Sequence, residues 1–282
     1  MTTSAAEIIR NPSVGYEQIT PDLIEQLNPE EAERTLVGIL AERALIKDGG
    51  RIVLFPEFNE APDILITDLM SKVLFAQIPE TVLEGLQHQN FVVLSVETSG
   101  VHLASSVTRY LTGQFRLKRY PSILRARKTY ELEAPSPAMG NSVESTTVYP
   151  ITSGGKPRYL TVSTSDMRAL KQVSRLIVVD DFLGTGNSLK GATEIGIRLL
   201  EKAGVDMDNL QVIPMIGIRK RHQVTNTPLV HPGVVIFNPI AALDVEPRLH
   251  ETTGEPVLYA NGFPPYLIRN AYASDFDQKQ TM

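Results

Sequence analysis

Residues 176–192 read Leu176-Ile177-Val178-Val179-Asp180-Asp181-Phe182-Leu183-Gly184-Thr185-Gly186-Asn187-Ser188-Leu189-Lys190-Gly191-Ala192, and the fold turns on this stretch. An apolar run that does not alternate with polar residues predicts a strand buried on both faces, as in a parallel sheet. Helical spacing follows over 188–203 and ends at Gly204. In an open parallel sheet, ligands bind beyond the carboxyl ends of the strands. Asp180 and Asp181 are expected at that end. Leu183–Ser188 then makes a tight turn whose unpaired N–H groups, helped by the dipole of the next helix, form an anion cradle. Gly184 and Gly186 let the backbone approach a ligand closely, Thr185 and Ser188 add hydroxyl donors, and Asn187 completes the turn. Two carboxylates before an anion cradle suit a sugar phosphate, with acids on the hydroxyls and loop on the phosphate. The pattern is neither a Walker loop, since G-x-x-x-x-G-K-[ST] is absent, nor a dinucleotide fingerprint, since the acids precede the glycines. An ordinary β–turn–α connection with an acidic cap is the structural alternative.

Outward from this motif the chain alternates strand and helix. Strands are expected at 51–55 (RIVLF), 91–96 (FVVLSV), 122–126, 175–179, 211–218 and 234–237, and helices at 64–75 and 101–111. Segments 146–150 and 158–163 alternate like an antiparallel pair. The sum is an α/β fold: a mainly parallel, doubly wound sheet with a small hood and an N-terminal helical extension. Three parts are expected: a helical extension over 1–50, a body over 51–245 and a C-terminal extension over 246–282, polar after about residue 268. Asn28-Pro29-Glu30-Glu31 is a helix start, with an Asn cap, Pro in the first turn and acids near the positive end of the dipole. Leu36, Ile39, Leu40 and Ala44 recur on one helical face.

Composition sets the outer bounds. The chain has 282 residues, 42% of them hydrophobic, a formal charge of −5 and no cysteine. That is enough apolar mass for a sizeable core, which excludes disorder as the main state. The absence of cysteine excludes disulfides, thiolate metal sites and a cysteine nucleophile. Residues 1–50 carry nine acids against four bases, the wrong balance for phosphate contacts, so nucleic acid is not an expected partner. No secretory signal and no apolar run of the roughly 18–20 residues of a membrane span is readable, and a cytoplasmic location is expected. The five histidines show no metal-ligand spacing, and no protein metal site is expected.

On these residues the chain resembles a known family. VVDDFLGTGNS (178–188) is similar to the phosphoribosyl-pyrophosphate (PRPP) motif of the type I phosphoribosyltransferases. SVETSG (95–100) resembles that family's pyrophosphate loop, Ala126-Arg127-Lys128 its Arg-Lys pair, and VYPITSGGKPRYLTVS (148–163) the hairpin beside its mobile loop. VETSGV, LRARK and VYPIT are most similar to xanthine phosphoribosyltransferase and the related PRPP-binding domain of the purine repressor. Gly186-Asn187-Ser188 departs from the frequent Gly-Gly-Thr but keeps a terminal hydroxyl. Gly184 stands where hypoxanthine-guanine enzymes carry Asp, and residues 150–155 lack the Glu frequent in adenine enzymes.

The resemblance implies transfer of a phosphoribosyl group from PRPP to a purine base, xanthine or another 6-oxopurine, with release of pyrophosphate, as in purine salvage. It implies Asp180 and Asp181 on the ribose, Thr98, Ser99 and Gly100 on the pyrophosphate, and Mg²⁺ held mainly through PRPP. Arg127 and Lys128 would reach a neighbouring subunit's pyrophosphate, which implies a homodimer, and 131–141 would form a lid. For the base, Asn59 would bond a purine edge; Phe58 either stacks or is core. Lys220 either faces the 2-oxo group or belongs to an exposed basic run. Two other roles stay open: a catalytically silent PRPP-sensing regulator, and an assembly subunit that retained the fold.

Overall fold

The computed structural model describes residues 20–43, 45–47, 52–54, 63–88, 90–97, 100–115, 121–129, 145–153, 156–164, 167–183, 186–220, 243–260 and 266–267. Phe58, Asn59, Thr98, Ser99, Gly184, Thr185, the 131–141 segment and the expected strand at 234–237 lie outside the described residues.

The chain enters through α1 (Pro21–Gln26) and α2 (Pro29–Arg43). Thr20 Oγ1 caps α1 by accepting from the Leu23 N–H at 3.2 Å. Ahead of α2, the Asn28 side chain accepts from the Glu31 N–H at 3.0 Å, and the Glu31 carboxylate accepts from the Asn28 N–H at 2.9 Å. This reciprocal capping box satisfies two donors that a helix start leaves unpaired, which is why the helix begins where the sequence predicts. Ala32, Leu36, Val37 and Leu40 are buried along one face. They pack on α3 (Asp63–Gln77), so the N-terminal helices belong to the main core. A short antiparallel ribbon, β1 (Leu45–Lys47) with β2 (Ile52–Leu54), follows α2.

After α4 (Glu80–His88), the sheet is built from β3 (Phe91–Val96), β4 (Ile123–Thr129), β5 (Ser145–Ser153), β6 (Lys156–Thr164), β7 (Arg175–Leu183), β8 (Gln211–Lys220), β9 (Leu243–Leu249), β10 (Pro256–Ala260) and β11 (Tyr266–Leu267). Their order is β11-β10-β9-β8-β7-β3-β4-β6-β5. The centre, β9-β8-β7-β3-β4, is parallel throughout. The β5–β6 hairpin adds antiparallel to β4 on one side, and β10 and β11 add antiparallel to β9 on the other. This is a mixed α/β fold on a largely parallel central sheet, as the sequence predicts.

Helices cover both faces. Val93, Ile177, Val179, Ile213 and Met215 pack with α2, α3 and α5 (Gly100–Phe115). Val92, Leu94, Leu176, Val178 and Val212 pack with α7 (Asn187–Ala203) and the hairpin, α6 (Met167–Leu170) lying beside them. Both parities of the central strands are therefore buried, the physical content of their unalternating sequences. Beyond the expected elements, α4 and three strands after residue 242 are present. These strands extend the sheet, and α2 packs against β10 and β11, so the N-terminal helices and the C-terminal strands meet each other.

Three expectations about the site's backbone are corrected. Asp180 and Asp181 do not end their strand: β7 continues to Leu183 because β8 keeps pairing with it, Phe182 to Ile218 and Leu183 to Arg219. Leu183 is thus a strand residue, not a turn residue, and Asn187 and Ser188 already lie in the first turn of α7. Lys220 likewise does not follow its strand but ends it, paired with Val245 of β9.

Candidate active site

The strand register brings the acidic doublet, the Arg-Lys pair and the start of α5 to one edge of the sheet. β3 lies between β7 and β4, so the doublet on β7 and the basic pair on β4 are two strands apart. Asp180 and Asp181 are each only 6% exposed, among the few buried charged side chains of the described residues. Burial pushes the Asp180 carboxyl well above the usual carboxylate range, and the neighbouring charge of Asp181 pushes it further; Lys128 pulls it partly back. A side-chain hydrogen bond with Asp181 acts in the same upward direction.

The opening of α5 lies directly against this pair. A Cβ on Gly100 would sit 3.3 Å from the Val179 carbonyl oxygen and 3.4 Å from Asp180 Oδ1. Glycine at this position lets a helix N-terminus approach the backbone of β7 without displacing the acid. On the other side of the doublet, Gly186 takes φ 81°, a left-handed conformation that glycine adopts without strain, and α7 starts at the next residue. The Lys190 N–H donates to the Gly186 carbonyl at 2.9 Å, closing the first turn of α7.

Arg127 and Lys128 are internal to β4 rather than at its end; Arg127 pairs with Thr161 and Lys128 with Leu160 of β6. Arg127 Nε donates to Glu97 Oε2 at 3.2 Å. Glu97 is a residue that the sequence reading did not single out. The signal was present in the parallel register: Val96 pairs with Ala126, so the residues that follow them are neighbours. Lys128 is the cation whose field reaches Asp180.

The donor set fits Mg²⁺ carried in by a phosphorylated substrate. Asp180 and Asp181 are hard oxygen donors whose mutual repulsion a divalent cation would relieve. Among the described residues there is no group of three or more His, Cys, Asp and Glu that could hold a metal by itself.

Sequence comparison now places the chain. A family model of the phosphoribosyl transferase domain matches residues 71–223, just over half of the chain, from α3 through β8. The chain belongs to that family and is a phosphoribosyltransferase enzyme. No curated protein matches it. Solved structures similar to it include adenine phosphoribosyltransferase from Saccharomyces cerevisiae, at 13% identity over 70% of this chain and 95% of that one, TM-score 0.41. The adenine enzyme from Rhodothermus marinus is 16% identical over 74% of this chain and 99% of that one, TM-score 0.41. A hypoxanthine phosphoribosyltransferase from Staphylococcus aureus is 16% identical over 61% and 73%, TM-score 0.33. Among the described residues, no helix is long and apolar enough to cross a membrane.

Proposed function

We propose that the protein transfers the phosphoribosyl group of PRPP to a purine base, with xanthine or another 6-oxopurine as the preferred acceptor, and releases pyrophosphate. The observation that carries this reading is the buried Asp180–Asp181 pair held between the start of α5 and the Gly186 turn. In the reaction, the bond from the anomeric carbon to the pyrophosphate oxygen breaks and its electron pair leaves with pyrophosphate. A ring nitrogen of the purine forms the new bond and gives up its proton. The ribose passes through a cationic state like that of glycoside cleavage. Asp180 and Asp181 accept from the ribose hydroxyls and place negative charge near that cation. The turn Thr98-Ser99-Gly100 supplies amides to the departing pyrophosphate. Leu183, Gly184, Thr185, Gly186, Asn187 and Ser188 surround the 5′-phosphate. Mg²⁺, bound through PRPP, supplies positive charge to the leaving group. Phe58, Asn59 and Lys220 form the base pocket in this reading. Arg127 and Lys128 act on pyrophosphate, across a homodimer interface.

The test is direct. Purified protein is incubated with PRPP, Mg²⁺ and one purine at a time, and pyrophosphate release is measured. Release with xanthine, guanine or hypoxanthine well above that with adenine supports the reading, and EDTA should stop it. Release with adenine alone overturns the base preference. PRPP binding without release for any base would instead identify a PRPP-sensing regulator, the reading that the acidic N-terminal helices favour less because they offer no basic surface to DNA.

A further inference from the structure

A cavity of about 640 Å³ lies between the helices α1, α3 and α5, within the usual size range of small-molecule sites. α1 and the first half of α3 precede the residues that the family model matches, and the motif reading touches none of the lining. The exposed large apolar side chains of the described residues, Ile64 at 44% and Tyr110 at 36%, both line it. Phe75 stacks on one face of the Tyr110 ring, with centroids 4.4 Å apart and planes 8° from parallel, and does not itself line the cavity. The face turned away from Phe75 is therefore the one the ring offers, a flat apolar plate supported from behind. A polar pair lines the same space. Asp68 Oδ1 accepts from the buried Ser106 hydroxyl at 2.5 Å and from Arg109 Nη2. Among the described residues, Asp68 Oδ2 accepts from no group, and Arg109 Nε and Nη1 have no acceptor. The ion pair thus presents an acceptor and donors side by side. Lys72 is engaged differently: its ammonium donates to the Ile24 carbonyl at 2.6 Å and the Glu25 carbonyl at 2.9 Å, which ties α1 to α3 and fixes that wall. Gly113 keeps the space clear. A Cβ on Gly196 or Gly217 would come within 2.8 Å of a neighbour, so packing explains those glycines, whereas a Cβ on Gly113 would meet nothing within 4 Å. Glycine in a helix costs stability relative to alanine, and packing does not call for it at 113; the cavity does.

We propose that this cavity binds a planar heteroaromatic ring carrying a lactam edge, an N–H beside a C=O, as an oxopurine does. The ring stacks on Tyr110, its N–H donates to Asp68 Oδ2, and its C=O accepts from Arg109. A neutral ring suits a lining whose cations, Lys72 and Arg109, are balanced by its acids, Glu25 and Asp68. The site is separate from the acidic doublet. Ser106 is six residues past Gly100, about 9 Å along α5, and the other α5 residues of the lining lie further on. The inference goes beyond the transferase reading and does not rest on it.

The experiment is equilibrium dialysis of the full-length protein against radiolabelled hypoxanthine without PRPP, each variant being checked by its melting curve. Gly113→Phe fills the space from α5 and should remove one hypoxanthine site per chain while melting no lower than the parent. Tyr110→Ala should weaken that site at least fivefold, and Tyr110→Phe, which keeps the plate, should stay within twofold. Unlabelled purine, which has no lactam edge, should compete at least fivefold less well than hypoxanthine. No binding by the parent, a site that Gly113→Phe and Tyr110→Ala leave unchanged, or equal competition by purine overturns the proposal. Pyrophosphate release from PRPP by Gly113→Phe should stay within twofold of the parent; its loss together with the hypoxanthine site would place the binding at the transfer site and also overturn the proposal. Absence of release by the parent with every base would instead count against the transferase reading and leave this site standing.

Discussion

Strand β7 carries ionisable side chains at both ends, and the two ends are built in opposite ways. At its start, Arg175 is held by partners that match it: Nε donates to Gln211 Oε1 at 2.7 Å and Nη1 to the Gly85 carbonyl at 2.5 Å. Next to it, the Ser174 hydroxyl donates to the Asn90 carbonyl at 3.2 Å. The charge is desolvated in part, which lowers the guanidinium's pKa, but its donors are met by α4 and β8. Near its finish, Asp180 and Asp181 are buried beside each other, and burial, then the neighbouring acid, push the Asp180 carboxyl well above the usual carboxylate range. One end joins the strand to its neighbours. The other holds unrelieved charge where a ligand can relieve it, as a binding site does and a purely structural site rarely does.

This contrast can be broken at either end. The largest effect is expected from Asp180→Asn with Asp181→Asn. Each removes a charge-assisted hydrogen bond to the ribose worth about 1.5–3 kcal/mol, so PRPP affinity should fall at least about 100-fold. Calorimetry with PRPP and Mg²⁺ measures it, and unchanged affinity would refute the ribose assignment. The melting temperature should not drop.

At the opposite end, Arg175→Met should leave the Gly85 carbonyl and Gln211 without their donor. The expected cost is about 2–3 kcal/mol of stability, read as a lower urea midpoint, with pyrophosphate release per folded molecule unchanged. An unaltered midpoint would show that this end is not the structural one.

The smallest effect sharpens the comparison through pH. The folded pKa of Asp180 is raised, so between the ordinary carboxylate value and the folded value the native state holds a proton that the unfolded chain has released. Stability from this group therefore falls as pH rises through that window, and below the unfolded pKa the group contributes no difference. Asp180→Asn alone should stabilise the ligand-free protein by about 1 kcal/mol at neutral pH, a gain of about 2–4 °C. That gain should shrink toward zero as pH approaches 4. A gain that grows on acidification would contradict the raised pKa.

Much of this was legible in the chain itself. FVVLSV and RLIVV announce buried parallel strands because nothing in them alternates, and Asn28 with Glu31 announces a helix start because their side chains can cap only one backbone arrangement. The acidic doublet followed by glycines pointed to the family whose model matches residues 71–223. The length of β7 was not legible. Phe182 and Leu183 look like the opening of a loop, and they are strand because β8 supplies partners for them. Nor was the cavity between α1, α3 and α5, whose lining runs from Pro21 to Gln114 in the sequence and follows no local pattern.

Local residue chemistry therefore decided which segments are strands and helices and where the helices start, because propensity, capping and burial pattern act over a few residues. Tertiary structure alone decided that the N-terminal helices and the C-terminal strands pack on each other, that Glu97 holds Arg127, and that Lys128 reaches Asp180. Those relations depend on strand order and register, which are set by the packing of the whole sheet and by no segment of it.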